Sequence, residues 1–224
     1  MGWESYSKIR KYYVEGGSAE VLRRLKGKLS YLVYHTNDAY WFRMDLRGEI
    51  AHLPVDEGIV VDFDNPDQTI RYIREHGYFY PREIETGLSV GHLFSSLKYE
   101  GETIGYNKTG YLRVYIQDFR REYQFPDEVA FSLDTFIEST YRGRKFGGFL
   151  LSEVTRKLKS RGFRSIWGHI PPWNSASVNM LQKLGWSRQK RIAYYWVLGV
   201  SWITTDPVRY IKQIEKLSRS PTPK

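Results

Sequence analysis

Residues 131–148 read FSLDTFIESTYRGRKFGG, and they contain three consecutive structural signals. Phe131, Leu133, Thr135 and Ile137 alternate with the residues between them, which is the period of a β-strand. After Tyr141 the alternation ends in a basic, glycine-rich run. Residues 150–158 then carry leucine and valine at helical spacing, and a glycine at 162 is a typical helix stop. The stretch predicts a strand, a basic turn and a helix.

A turn of this kind is suited to binding a phosphate. Backbone N–H groups at a helix start point at one spot, the helix dipole adds positive charge there, and glycine lets the backbone come close. Between Arg142 and Arg164 there are eight Lys or Arg residues and one acid, Glu153. The turn therefore predicts an anionic ligand, with a basic loop that only caps a surface helix as the alternative.

The spacing within the turn restricts the kind of anion. The chain has neither G-x-x-x-x-G-K-[ST] nor G-x-G-x-x-G, so it lacks the usual nucleoside-triphosphate and dinucleotide motifs. Arg142-x-x-Lys145-x-Gly147 instead resembles the [Q/R]-x-x-G-x-[G/A] turn of the GCN5-related N-acetyltransferases, which binds the pyrophosphate of acetyl-coenzyme A. Lys145 stands where that family usually has its first glycine.

A second segment resembles the same family. Residues 169–186 read HIPPWNSASVNMLQKLGW, similar to the family's N-x-x-[AS]-x-x-x-Y-x-K-x-G-[FW] helix. The matching positions are Asn174, Ser177, Lys183, Gly185 and Trp186. The resemblance covers roughly residues 60–198. It implies a mixed α/β fold with a central mixed β-sheet flanked by helices.

The resemblance also implies a domain plan. Residues 57–204 are expected to form the acetyltransferase domain. Residues 1–56 would be an N-terminal helical and β-hairpin extension packed on it, and residues 205–224 a C-terminal helix and tail. Within the extension, residues 3–28 read as a basic helix, and residues 29–35 and 39–46 as strands joined by a turn at Thr36-Asn37-Asp38.

The remaining elements follow from pattern and turn chemistry. Asn65-Pro66-Asp67-Gln68 has the form of a capping box at a helix start. The expected elements are a strand at 59–62, helices from 66 to about 76 and from 81 to about 88, a hairpin at 92–99 and 103 onward continued over 111–116, a loop at 120–122, a strand at 164–169 parallel to the central one, strands over 186–200 and a helix from 207.

Site residues transfer from the family only at matching positions. The implied coenzyme-binding residues are Arg142, Gly143, Arg144, Lys145, Phe146, Gly147 and Gly148 for the pyrophosphate, Phe136 and Ile137 for the pantetheine arm, and Asn174 and Ser177 for the thioester end. A backbone N–H near Ile137 would stabilise the charge that develops on the thioester oxygen. Asn174 and Ser177, at a helix start, have capping as their alternative role.

The general base is open among three residues. An amine with a pKa near 10 needs help to lose its proton at neutral pH. His169 is the first candidate because imidazole has a suitable pKa, and Glu138 and Asp134 on the central strand compete with it. A structural role is the alternative for each.

The family's acid is missing from the matching helix. The tyrosine that protonates the departing thiolate is replaced by Leu181. Tyr141, Tyr194 and Tyr195 are phenols that could substitute.

Composition sets broader limits. The chain has 224 residues, 41% of them hydrophobic, which suffices for one sizeable core. Without cysteine there is no disulfide and no thiolate metal site, and we expect no metal. No apolar run reaches membrane-spanning length and the first residues lack a signal-peptide core, so the expected location is cytoplasmic.

The net charge of +9 points to anionic partners. Coenzyme A is the first of these. An acidic acyl carrier protein or peripheral contact of the basic N-terminus with a membrane are alternatives, and no nucleic-acid motif is present.

These observations predict acyl transfer from coenzyme A to an amine. Three alternatives stay open: a long-chain acyl donor on coenzyme A or acyl carrier protein, a binding module without turnover, and salt-sensitive nucleic-acid binding driven by the +9 charge. The expected amine acceptor is a small molecule or a peptide. The sequence identifies neither this acceptor nor the oligomeric state.

Overall fold

The computed structural model describes residues 34–50, 53, 57–198 and 200–218. The chain divides into two compact units, residues 38–192 with 205–224 and residues 1–37 with 193–204. The strands are β1 (Tyr34–Asp45), β2 (Ile59–Asp62), β3 (Leu93–Tyr99), β4 (Glu102–Tyr111), β5 (Arg113–Ile116), β6 (Arg121–Gln124), β7 (Val129–Ile137), β8 (Ser165–Ile170), β9 (Ser187–Val197) and β10 (Val200–Ile203). The helices are α1 (Pro66–His76), α2 (Pro81–Val90), α3 (Phe146–Ser160), α4 (Ser175–Lys183) and α5 (Pro207–Leu217).

The larger unit is built on one mixed sheet in the order β9-β1-β8-β7-β4-β3-β2. β7 and β8 are parallel, while β1 with β8, β2 with β3, β3 with β4 and β4 with β7 are antiparallel. Strands β5 and β6 form a separate pair. The predicted mixed α/β fold, with its sheet flanked by helices, is confirmed.

Each face of the sheet is covered by helices. On one face α3 buries its apolar side, including Leu150, Val154 and Leu158, against Phe42 and Ile166. A smaller cluster on α1, α2, β3 and β4 contains Ile70, Tyr72, Ile73, Ile84, Phe94 and Tyr106. None of the five described helices combines the length and apolar character that a membrane span requires.

The smaller unit is described at residues 34–37, 193–198 and 200–204. There β10 pairs antiparallel with the end of β9, Val200 opposite Val197. The rings of Tyr195 and Trp202 stack with centroids 5.3 Å apart.

Several sequence-based expectations are corrected. Residues 36–38 lie inside β1 instead of forming a hairpin turn; the two-residue hairpin turn prefers a glycine that this tripeptide lacks. The predicted helix at 3–28 and strand at 29–33 lie outside the described residues. The domain boundaries at 56/57 and 204/205 stay predictions.

Two more corrections concern strand and cap signals. Leu112 has φ of 59° and breaks the alternation, so residues 113–116 leave the main sheet and pair with residues 121–124, which are strand and not loop. Asn65 makes no side-chain cap of α1, and its amide bonds Asp62 Oδ2 at 2.8 Å instead. Asp62 is in position to accept this hydrogen bond because Lys98 Nζ holds its carboxylate at 2.7 Å.

Helix α5 is attached to the sheet by one buried carboxylate. Glu215 accepts hydrogen bonds from Arg43 Nε at 2.8 Å, Ser165 Oγ at 2.7 Å and Trp167 Nε1 at 2.9 Å. Burial alone would raise the pKa of Glu215, but these donors outweigh it and the pKa is lowered. The native protein therefore holds this group ionised.

Acid is expected to destabilise the fold through such carboxylates. Lys98, and then the Asp64 N–H, lower the pKa of Asp62 to about 2. Because the folded pKa lies below the unfolded value of about 3.9, the stabilisation is complete above about pH 4 and is lost as the pH falls toward 2. Urea unfolding between pH 7 and 2.5 should show this loss, and Asp62→Asn should flatten it by about 1 kcal/mol after solvent screening. An identical pH slope in wild type and Asp62→Asn would refute the assignment.

Gly105 on β4 allows the close contact between β4 and β7. A Cβ at this position would lie 2.6 Å from Ile137 Cδ1 and still closer to the Phe136 carbonyl oxygen, which is backbone and cannot give way cheaply. Gly105→Ala should therefore lower the free energy of unfolding by about 1–3 kcal/mol. Gly48→Ala is the control, because a Cβ there meets nothing within 4 Å. Equal denaturation midpoints for the two variants would contradict the prediction.

Candidate active site

The central feature is the place where β7 and β8 separate. Their parallel pairing ends at Ser132 opposite Gly168. At the same point the β4–β7 register shifts, since Lys108 pairs with Asp134 and Thr109 with Ser132, which leaves Leu133 as an extra residue. A bulge bends its strand, and this one accounts for the opening between β7 and β8.

The open edge of β7 presents backbone groups to this gap. The Glu138 N–H bonds the Ile104 carbonyl on β4 at 2.9 Å. Because successive residues of a strand direct their backbone groups to opposite sides, the Ile137 N–H points away from β4, toward the gap. The Ile137 carbonyl on that side accepts Arg142 Nε at 3.0 Å.

The basic turn lies at the end of this gap. Gly143 has φ of 84° and Lys145 has φ of 65°, so both adopt the left-handed conformation. Lys145 thus has the backbone conformation that glycine adopts most easily, at a cost of about 1 kcal/mol for a lysine. The departure from the family motif changes the residue and keeps a conformation suited to glycine.

Helix α3 begins immediately after Lys145 with free donors. Its first intrahelical bond runs from the Phe149 N–H to the Lys145 carbonyl, at 3.0 Å, so the N–H groups of Phe146, Gly147 and Gly148 have no helical acceptor. No acid lies in the first turn. The side chains of Arg142, Arg144 and Lys145 are exposed. This geometry fits a pyrophosphate.

Helix α4 lies beside the turn. A Cβ on Gly147 would be 3.4 Å from Met180 Sδ and 3.6 Å from Ile137 Cγ1, so α4, the turn and the end of β7 meet at this glycine. Asn174 Oδ1 accepts the Ser177 N–H at 3.1 Å and caps α4. Leu181 is buried in the core, away from solvent. The capping role of Asn174 is confirmed, and the thioester role stays a prediction.

The three candidate bases have different environments. The His169 side chain is only 5% exposed, its Nε2 lies 2.7 Å from Asp118 Oδ2, and its ring stacks on Trp41 and Phe131. Asp134 accepts the Tyr106 hydroxyl at 2.7 Å. Burial raises the pKa of Asp134, against the effect of Lys108.

Glu138 is the most accessible of the three. Its side chain is 31% exposed, and its Oε1 accepts the Tyr72 hydroxyl at 2.6 Å. It follows Ile137 directly, at the open end of β7. Asp134, Phe136 and Glu138 share the face that α1 covers.

A buried ion pair lies below these groups. Lys108 Nζ donates to Glu83 and to the Tyr78 carbonyl at 3.1 Å, and lies 3.8 Å from Asp134 Oδ2. Burial raises the pKa of Glu83, with Lys108 opposing it. Lys108 thus forms an ion pair with both carboxylates, Glu83 and Asp134.

Sequence analysis missed Tyr72, His76, Tyr106, Lys108 and Asp118. A lysine inside β4, an otherwise half-apolar strand, was the available signal for Lys108. Tyr72 and His76, four residues apart on α1, share a helix face, but their partner Glu138 is more than sixty residues away in sequence. The described residues bring together no group of three or more His, Asp or Glu side chains that could hold a metal ion.

Comparison with solved structures supports the fold. The chain is similar to a GCN5-related N-acetyltransferase from Sphaerobacter thermophilus (TM-score 0.54, 14% identity, 83% of this chain and 58% of that one). It is also similar to one from Kribbella flavida (TM-score 0.50, 10% identity, 80% and 63%) and to an N-acetyltransferase-like protein from Streptococcus suis 89/1591 (TM-score 0.50, 12% identity, 79% and 68%). This chain spans less than two thirds of the length of the first two.

Sequence comparison gives the family itself. A search of curated proteins found no match. The model of the Acetyltransferase (GNAT) family matches residues 59–186, more than half of the chain and the region that contains both motifs. This protein belongs to the GNAT acetyltransferase family.

Proposed function

We propose that this protein transfers an acetyl group from acetyl-coenzyme A to an amine, on a small molecule or a peptide. Membership in the family supports acyl transfer from coenzyme A in general. The observation that carries the proposal is the position of the basic turn, at the end of the gap where β7 and β8 separate. A pyrophosphate at that turn lets the pantetheine arm run along the open edge of β7.

The residues present suit the coenzyme. The free N–H groups of Phe146, Gly147 and Gly148 and the cations of Arg142, Arg144 and Lys145 are the pyrophosphate donors, with Gly143 shaping the turn. Phe136 and Ile137 offer the strand edge to the pantetheine amides. The Ile137 N–H is the candidate donor to the thioester oxygen.

We infer that Glu138 is the general base. It is partly exposed and adjacent to Ile137, whereas His169 is enclosed by aromatic rings and engaged with Asp118. Asp134 lies deeper and is held by Tyr106.

The reaction does not require an acid to protonate the leaving thiolate. The position of the family's tyrosine is filled by Leu181, which is buried. A thiol has a reference pKa of about 8.5, so the thiolate is a good leaving group without assistance.

Titration calorimetry with acetyl-coenzyme A and free coenzyme A is the first test. Binding of both in the micromolar range is expected, followed by coenzyme A release with at least one member of an amine panel. Glu138→Gln should keep the binding and lose most of the turnover. Absence of binding at tens of micromolar would refute the proposal. Binding without turnover across the panel would favour a coenzyme-binding module. Turnover only with long-chain or carrier-bound donors would favour the alternative acyl donor.

A further inference from the structure

We propose that Glu138 and His76 form a proton relay, in which Tyr72 positions the Glu138 carboxylate and His76 carries its proton to solvent. This inference rests on the proposed function of Glu138 as general base, and adds two residues on α1 to the reaction.

The first step concerns the position of Glu138. Its backbone N–H remains bonded to Ile104 on β4 at 2.9 Å although the strand ends one residue earlier. The carboxylate is therefore attached to a fixed piece of backbone next to the gap. Oε1 has partners on α1, whereas Oε2 has no hydrogen-bond partner within the described part of the chain. Oε2 is the oxygen free to meet an incoming ammonium group.

Tyr72 fixes the other oxygen. The Tyr72 side chain is buried, and its hydroxyl donates to Glu138 Oε1 at 2.6 Å. Burial and then the neighbouring carboxylate raise the pKa of Tyr72 far above its usual range, so the phenol stays protonated. Tyr72 is thus a constant donor that holds Glu138 in one orientation and favours its ionised form. Tyr72 is a positioning residue, because it contacts Oε1 of Glu138, whereas the acceptor would meet Oε2.

His76 connects the same carboxylate to solvent. Its Nδ1 lies 4.0 Å from Glu138 Oε1, and its side chain is 48% exposed. The His76 ring stacks on Tyr72 with centroids 4.6 Å apart and 24° between the planes. This stacking keeps the imidazole beside the carboxylate. Imidazole accepts and releases protons near neutral pH, which suits a group that passes protons to water.

Other charged and titratable groups lie around Glu138 in the described part of the chain. They are Asp134 on its own strand, Tyr106 on β4, Glu75 beside His76, and Tyr141 and Arg142 in the following turn. Tyr106 is already committed to Asp134. Arg142 is bound to the Ile137 carbonyl. Within this neighbourhood His76 is the group that offers the carboxylate a nitrogen able to take up a proton and an exposed path.

The proton count closes with these groups. The acceptor ammonium gives one proton to Glu138, and the neutral amine attacks the thioester carbon. The carbon–sulfur bond breaks, and the amine's second proton ends on the coenzyme A thiolate. The first proton passes from Glu138 through solvent water to neutral His76, since the 4.0 Å between Nδ1 and Oε1 is too long for a direct hydrogen bond. His76 becomes imidazolium and releases the proton to water. The net result is acyl amide, coenzyme A thiol and one proton.

The test is the pH dependence of kcat/KM for the best acceptor, with the reaction monitored through release of the coenzyme A thiol. Tyr72→Phe removes one hydrogen bond to the carboxylate, so the acidic limb should move up by about one pH unit. His76→Ala should lower kcat by about tenfold, and added imidazole should restore it, because exposed space is left for the free base. Tyr115→Phe is the control, a buried tyrosine on β5 outside this cluster, and should leave both the limb and kcat unchanged.

Distinct outcomes separate the relay from the function. An unshifted acidic limb in Tyr72→Phe, or failure of imidazole to rescue His76→Ala alone, would overturn the relay while leaving acetyl transfer intact. If wild type binds no acetyl-coenzyme A, the proposed function fails instead. NMR titration of the Glu138 carboxyl carbon in the free protein then decides the contact: a carboxyl pKa equal in wild type and Tyr72→Phe overturns it, and a higher pKa in the variant supports it.

Discussion

Glu215→Ala is expected to lower the free energy of unfolding by about 3–5 kcal/mol, since it removes one partner of a buried ion pair. Glu215 is 7% exposed and holds three donors, on Arg43, Ser165 and Trp167. Without the carboxylate, the Arg43 guanidinium keeps its charge in a buried site. Its neighbour Asp45 lies at 3.5 Å and compensates only in part. Urea unfolding followed by tryptophan fluorescence measures the effect.

Two further variants separate charge from packing. Glu215→Gln keeps an acceptor oxygen and removes the charge. It should therefore lower the free energy of unfolding by about half as much as Glu215→Ala does. The double variant Arg43→Met with Glu215→Leu removes both charges and should be more stable than Glu215→Ala. If the double variant were the less stable of the two, the loss would come from packing of α5 and not from an unpaired charge.

Local pattern was enough to predict most elements of the larger unit. The alternation at 131–137, the proline at the start of α1 and the glycine after α3 act within a few residues, and the corresponding elements are present. The failures occurred where a long-range contact competes with a local signal. Asp62, which is held by Lys98 36 residues away, binds the amide of Asn65 and so removes the expected cap. Residues 36–38 resemble a turn in composition but belong to a strand.

The candidate site divides in the same way. The phosphate-binding turn is contiguous in sequence, so Arg142 to Gly148 could be read directly. The acceptor side is assembled from α1, β4 and β7, and no sequence spacing links Tyr72 to Glu138. His169 lies on β8 as predicted, but the rings of Trp41 and Phe131 that enclose it come from two other strands and could not be read from the sequence. The alternation in a single sequence indicates which face of a strand each side chain lies on. It does not indicate which strands or helices pack against that face.

Gly147→Asp is expected to weaken binding of coenzyme A by about a hundredfold, or about 2.7 kcal/mol, while leaving the fold intact. Gly147 is the second residue of α3, where the N–H groups have no helical acceptor. An aspartate there interacts favourably with the helix dipole, by about 0.3–1 kcal/mol, but it places a negative charge where the pyrophosphate would lie. Titration calorimetry with coenzyme A and a thermal melt of the same samples measure both effects.

Gly147→Asn separates charge from size in this prediction. Asparagine has nearly the same shape, and a Cβ at this position meets Met180 Sδ at 3.4 Å and Ile137 Cγ1 at 3.6 Å, which is ordinary contact. The asparagine variant should therefore lose only the part of the affinity that depends on close approach of the backbone, and the gap between the two variants should shrink with added salt. If both variants bound coenzyme A as wild type does, the anion would lie elsewhere and the turn at 142–148 would only cap α3. If both lost affinity equally at every salt concentration, steric exclusion and not charge would account for the need for glycine.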